Sequence, residues 1–196
     1  RRTGELVGLL VAISAGPDAV DRLTAMLPAV AEFADLAGAL LGPAIEERTR
    51  TGRLHARIST TIYGEAFRPV FQPIVDLETR ETVGFEALTR FASGDPPDRV
   101  FADAWAIGLG PHLEVATLEA AVRASARLPA GRWLSINLSP RLFAARGDVV
   151  GILRTADRPL VIEITEHETV HDYEMLRSSV RALGVDARLA VDDAGA

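Results

Sequence analysis

From Phe67 onward, short apolar strands alternate with helical segments, and this alternation limits the fold more than any other feature of the chain. Val70–Leu77 reads as a strand, Glu78-Thr79-Arg80 as a polar turn and Thr82–Phe91 as a second strand, together a hairpin. Helical spacing follows at about Arg99–Leu109 and His112–Leu128, interrupted at Gly110-Pro111. Trp133–Leu138 predicts a strand, Gly147–Thr155 a helix, Leu160–Thr165 a strand, Asp172–Leu183 a helix and Arg188–Val191 a last strand. Strands separated by helices pair in parallel, because a crossover must carry the chain back before the next strand begins. The predicted class is α/β.

Polar residues gather at the carboxyl ends of these strands. Glu86 lies late in the second strand and Asn137 late in the third. Glu163 interrupts the apolar run Leu160-Val161-Ile162, and Asp192-Asp193 closes the final strand. A carboxylate in a strand meant for burial is costly unless it is paired or binds a cation. Four carboxylates and one amide oxygen suit a hard cation such as Mg2+ or Mn2+. Adjacent aspartates allow one to bridge two ions while the other binds one, the usual device for hydrolysing phosphodiesters. Taken singly, each residue also fits a helix cap or an arginine partner.

The net charge of −6 argues against DNA as a partner, since a surface that grips duplex DNA is normally basic. The absence of cysteine excludes disulfides, thiolate zinc sites and cysteine nucleophiles, and fits a cytoplasmic protein. Glu5–Ser14 reads as a buried strand ending at the Gly16-Pro17 turn. Helical spacing then runs from Asp18 to about Arg50, with Pro28 and Pro43 expected to kink or divide it, and Thr49–Thr61 reads as a polar, helical or extended linker. No run of about 20 apolar residues marks a membrane span.

Phe71-Gln72-Pro73-Ile74-Val75 followed by Gly84-Phe85-Glu86-Ala87-Leu88-Thr89-Arg90 resembles the opening signature of the EAL-domain family. Ser135-Ile136-Asn137-Leu138-Ser139, Glu163-Ile164-Thr165-Glu166 and Asp192-Asp193 match its later elements in order and spacing. The resemblance implies an incomplete (β/α)8 barrel of EAL type over residues 67–196, in a bacterial phosphodiesterase that linearises cyclic di-GMP to pGpG with two metal ions. It implies Glu86, Asp192 and Asp193 as catalytic residues. Glu86, Asn137, Glu163, Asp192 and Asp193 would be metal ligands. Gln72, Leu88 and Arg90 would contact substrate, and Glu166 would steady the loop after the paired aspartates. The family's next residues, Phe-Gly-Thr-Gly, are replaced by Ala194-Gly195-Ala196, and its later lysine and carboxylates are not among these 196 residues. The stretch alone is therefore expected to be inactive. The alternative is an EAL-like cyclic di-GMP receptor or dimerising module without catalysis.

Residues 1–47 resemble the closing strand and exit helix of a GAF sensory domain, an α+β fold, with residues 48–66 as linker, and a homodimer is the expected assembly. His167-Glu168-Thr169-Val170-His171 fits the His-Glu-x-x-His pattern of zinc peptidases. It directly follows a strand, however, and Thr169-Val170 is a poor helix centre. His55 and His112 are given no role, and Trp105 and Trp133 are expected in the core.

Overall fold

The structure is a computed structural model that describes residues 8–144, 149–165 and 187–192, with the backbone alone at 143, 144, 165, 191 and 192. The chain divides into two compact units at Leu54/His55.

The first unit is dominated by helix α1, which spans Ala19–Tyr63 and passes the unit boundary. Two sequence expectations change here. Residues 8–14 form no strand, and Leu9, Val11 and Ile13 are exposed. A strand needs a neighbour to satisfy its N–H and C=O groups, and this segment has none among the described residues. Second, α1 does not divide at Pro28 or Pro43; it runs on through the linker residues, which take the helical of their two expected forms. Each proline removes one backbone donor, but the Ala- and Leu-rich stretches around them are strong helix formers and carry the helix through. The helix contains an 18-residue window of mean hydropathy 1.4, so by length and composition it is long and apolar enough to cross a membrane. Alanine and leucine lift the mean although acidic residues interrupt the run, and no clear membrane span results.

The second unit is an α/β layer built on a five-stranded sheet ordered β1-β2-β3-β4-β5. β1 (Phe67–Val75) pairs antiparallel with β2 (Thr82–Phe91), as the hairpin pattern predicts. β2, β3 (Trp133–Asn137), β4 (Leu160–Thr165) and β5 (Ala187–Asp192) run parallel. Pro69 and Pro73 are tolerated in β1 because among the described residues it lies at the sheet edge, where their lack of an N–H leaves no second strand unpaired. The β1–β2 pairing bends at Ile74/Val75.

Helices α2 (Pro97–Ala106) and α3 (Gly110–Ser125) follow β2. The short helices α4 (Pro140–Ala144) and α5 (Val149–Arg154) follow β3. Leu134, Ile136, Ile162 and Ile164 project from one sheet face into a core shared with Leu118, Val122, Leu142, Val149 and Leu153. Ile58 and Ile62, on the last turns of α1, are also buried. Nearby, Arg57 bridges Asp95 (3.1 Å) and Asp103 (2.6 Å). Arg158 is 9% exposed and donates to the carbonyls of Leu128, Pro129 and Arg132, tying down the chain between α3 and β3. Trp133 lies flat over Gly84, where an added Cβ would come within 2.4 Å of the indole. The architecture is an incomplete barrel: a (β/α)8 barrel closes with eight strands.

Candidate functional site

Side chains alternate along a strand with period two, so register decides which residues share a face. Glu86 pairs with Ser135, Asn137 with Glu163, and Glu163 with Ala190. Ser135 and Asn137 are two apart on β3, so Glu86, Ser135, Asn137 and Glu163 stand on one face, opposite the apolar core. On the hairpin side Gln72 is directly opposite Glu86, and Leu88 and Arg90 follow Glu86 on the same face. Position 192 pairs with Thr165 at the carboxyl end of β5.

The structure thus brings Glu86, Asn137 and Glu163 together. The Asn137 amide donates to Glu86 Oε1 at 3.2 Å, while the Ser135 hydroxyl donates to Glu163 Oε1. If the Asn137 amide nitrogen is committed to Glu86, its carbonyl oxygen is left for a cation. Two carboxylates and an amide oxygen at one strand end are the hard donors that Mg2+, Mn2+ or Ca2+ prefer. Among the described residues no three carboxylate or imidazole groups form a cluster, because the third member here is an amide. The side chain of Asp192, and Asp193, Glu166 and His167–His171 altogether, lie outside the described residues.

A cleft of about 780 Å3 opens beside these residues, over the carboxyl ends of β2 and β3 and under α2 and α3. Leu88, Arg90, Asn137 and Glu163 line it from the sheet, and Phe101, Trp105, Glu114 and Arg141 from the helical side. Neither Gln72 nor Glu86 is on its wall. Arg90 is exposed, and its guanidinium donates to its neighbour's carbonyl at Thr89.

Four contributors escaped the sequence reading. Ser135 is fully buried against Glu163, and the signal for it was its place two residues before Asn137. Glu114 is buried on α3, where a carboxylate in the apolar stripe Leu113, Thr117, Leu118 was the available sign. Trp105 is not a core residue as expected but half-buried on the cleft wall. It packs on Gly110, where an added Cβ would come within 2.2 Å of the ring. The Arg141 guanidinium sits over the ring, 5.5 Å from its centroid, a cation–π contact.

Known proteins can now be set beside this geometry. The chain is 28% identical over 162 residues to a probable cyclic di-GMP phosphodiesterase, PdeN, of Escherichia coli (strain K12), covering 76% of this chain and 31% of that protein. Among solved structures it is similar to Klebsiella pneumoniae BlrP1 in a calcium and cyclic di-GMP complex. The TM-score is 0.58 and the identity 30%, covering 68% of this chain and 36% of BlrP1. The EAL domain of FimX from Pseudomonas aeruginosa, bound to cyclic di-GMP, shares the fold at TM-score 0.55 and 21% identity, over 70% of this chain and 61% of that one. The chain spans about a third of the length of PdeN and of BlrP1. A family model for the EAL domain matches residues 55–196, beginning earlier than the Phe67 that the motifs suggest and including His167–His171. With that match over most of its length, the chain belongs to the EAL-domain family.

Proposed function

We propose that the protein hydrolyses cyclic di-GMP to the linear dinucleotide pGpG, using divalent metal ions held at the carboxyl ends of β2 to β5. The observation that carries this reading is the convergence of Glu86, Asn137 and Glu163 on one sheet face beside the cleft. The likeness to a probable cyclic di-GMP phosphodiesterase supports the substrate. BlrP1 complexes holding calcium or manganese with cyclic di-GMP support the use of such ions.

In this reading Glu86, Asn137, Glu163, Asp192 and Asp193 would hold two divalent ions, with Mg2+ or Mn2+ as the working metals. Once bound, the ions supply a water of lowered pKa as nucleophile and offset the phosphate charge. The chain's own residues do the rest. Ser135 fixes the Glu163 carboxylate, and Asn137 fixes Glu86. Arg90 binds a phosphate through its planar fork of donors, while Gln72 and Leu88 contact the ligand. Glu166 steadies the loop after Asp193.

The experiment is cyclic di-GMP hydrolysis by the full-length protein, followed by chromatography of the product with and without a chelator, beside Glu86→Ala. Turnover to pGpG that disappears with chelation and in the variant supports the enzyme. Tight binding without turnover makes the protein a receptor, and neither activity nor binding refutes both. We further infer a homodimer through α1, whose Val20, Leu27, Phe33, Leu40 and Leu41 are exposed, in a cytoplasmic protein whose residues 1–47 are the end of a GAF-like sensory domain. Sedimentation of the full-length protein tests the assembly; a monomer at micromolar concentration refutes it.

A further inference from the structure

We propose that Glu114 is a positioning residue for the metal side of the site: from α3 it clamps the backbone of the segment that carries Asn137. This rests on the metal-binding reading above and adds a residue to it.

The carboxylate is 8% exposed, and both oxygens are used by different elements. Oε2 accepts the backbone N–H of Ser139 at 3.1 Å, and Oε1 accepts the Trp105 indole N–H at 2.6 Å. Ser139 lies two residues after Asn137, where the chain leaves β3. Leu138 between them donates its N–H to the Glu163 carbonyl at 3.0 Å, extending the ladder to the strand that bears the second carboxylate. The Ser139 hydroxyl in turn accepts the Leu142 N–H at 3.3 Å and starts α4. Arg141 on α4 returns over the Trp105 ring at 5.5 Å. The result is a closed circuit: α2 through Trp105, α3 through Glu114, and the β3–α4 segment through Ser139 and Arg141.

Packing alone does not call for a carboxylate here. Burying one is unfavourable unless its oxygens are hydrogen-bonded, and an apolar residue would fill the same space at less cost. Charge-assisted bonds are shorter and about twice as strong as neutral ones, so a carboxylate holds a backbone N–H more rigidly than an amide would. The group held is the exit of the strand that presents Asn137 between Glu86 and Glu163. Partners that orient a metal ligand typically account for about 10–100-fold in affinity or activity.

The test uses full-length Glu114→Gln, which keeps the shape but leaves one acceptor for two donors. Three quantities are read: the Kd for Mn2+ alone by calorimetry, kcat and KM for cyclic di-GMP, and the melting temperature without metal. The expected result is Mn2+ bound about tenfold more weakly and kcat lowered about 10–100-fold, with KM within about threefold. A lowered melting temperature with unchanged Mn2+ affinity and kcat would mean a purely structural role and overturn the proposal. Should Glu114→Gln fail to fold, Trp105→Phe decides. It keeps an aromatic ring but no N–H donor, which frees one carboxylate oxygen, and Mn2+ affinity should fall about threefold; an unchanged value overturns the proposal. A wild-type protein that binds Mn2+ without acting on cyclic di-GMP sinks the functional reading but leaves the Mn2+ comparison to decide on Glu114. A wild type that binds no Mn2+ overturns both.

Discussion

Along β3 and β4 successive side chains turn to opposite faces, and the two faces carry different chemistry. On one, Leu134, Ile136, Ile162 and Ile164 are exposed by 0, 3, 0 and 1%, packed under α3 and α5. On the other stand Ser135, Asn137 and Glu163, joined by Glu86 from β2. Each apolar side chain contributes roughly 1.5–3 kcal/mol through burial. The polar face adds little of that kind and holds carboxylates close together, which only a cation or a donor makes tolerable. One set of strands thus separates stability from chemistry by parity alone. A shift of one residue in register would exchange the two roles throughout.

Paired substitutions one residue apart test this separation. Glu163→Gln should lower turnover of cyclic di-GMP in the full-length protein about 1000-fold or more, about 4 kcal/mol in the barrier. Its metal-free melting temperature should stay within a degree or two or rise, since the Ser135 hydroxyl can still donate to the amide oxygen. Ile162→Ala should do the reverse: a loss of about 2–5 kcal/mol in urea unfolding, with turnover per folded molecule within about threefold. If Ile162→Ala abolishes turnover while remaining folded, the faces are coupled and the comparison fails.

The two tryptophans sharpen it. Gly84 lies under Trp133 at the amino end of β2, and Gly110 under Trp105 beside the cleft. A methyl group at either position meets an indole ring at well under contact distance. Gly84→Ala and Gly110→Ala should therefore each lose about 1–3 kcal/mol of stability by overpacking. Only Gly110→Ala, which displaces the ring that donates to Glu114, should also slow turnover, by an expected factor of about three to ten. Equal turnover in the two variants would show that Trp105 is a packing residue like Trp133.

What the sequence revealed follows the same division. The parallel strands were legible because Leu160–Thr165 and Arg188–Val191 are short, apolar and set between helical stretches. Glu86, Asn137 and Glu163 stood out because polar residues at strand ends are conspicuous against such runs. Contacts that depend on which helix lies over which strand were not legible. Glu114 is far from Ser139 in sequence, and Trp105 looks like any buried aromatic until Gly110 and Arg141 are seen against its ring. Residues 8–14 failed for a related reason: their composition suits a strand, but strand formation depends on a partner that local pattern does not name. Pro28 and Pro43 misled in the opposite sense, since a local penalty was outweighed by the helix propensity on either side.

The smallest expected effect lies at the end of the sheet away from the chemistry. The β1–β2 turn leads into the amino end of β2, and Asp76 organises it: its Oδ1 accepts the N–H of Thr79 (2.8 Å), the Thr79 hydroxyl (3.1 Å) and the N–H of Glu78 (2.9 Å). Arg80 completes the turn with φ of 60°, a left-handed conformation. The Thr79 N–H above all, then its hydroxyl and the Glu78 N–H, favour the ionised carboxylate and hold Asp76 below the usual aspartate value of 3.8. Because the folded-state pKa is the lower one, the stabilisation is fully present above the unfolded value, about 3.9, and is lost as pH falls through the folded value. Asp76→Asn keeps an acceptor but cannot titrate. Its urea midpoint should lie slightly below that of the wild type by a constant margin from pH 5 to 8, and the margin should close below about pH 4. Turnover at neutral pH should be unchanged, because none of the turn's residues lines the cleft. No margin at neutral pH would mean that the turn is held by its backbone geometry rather than by the Asp76 charge.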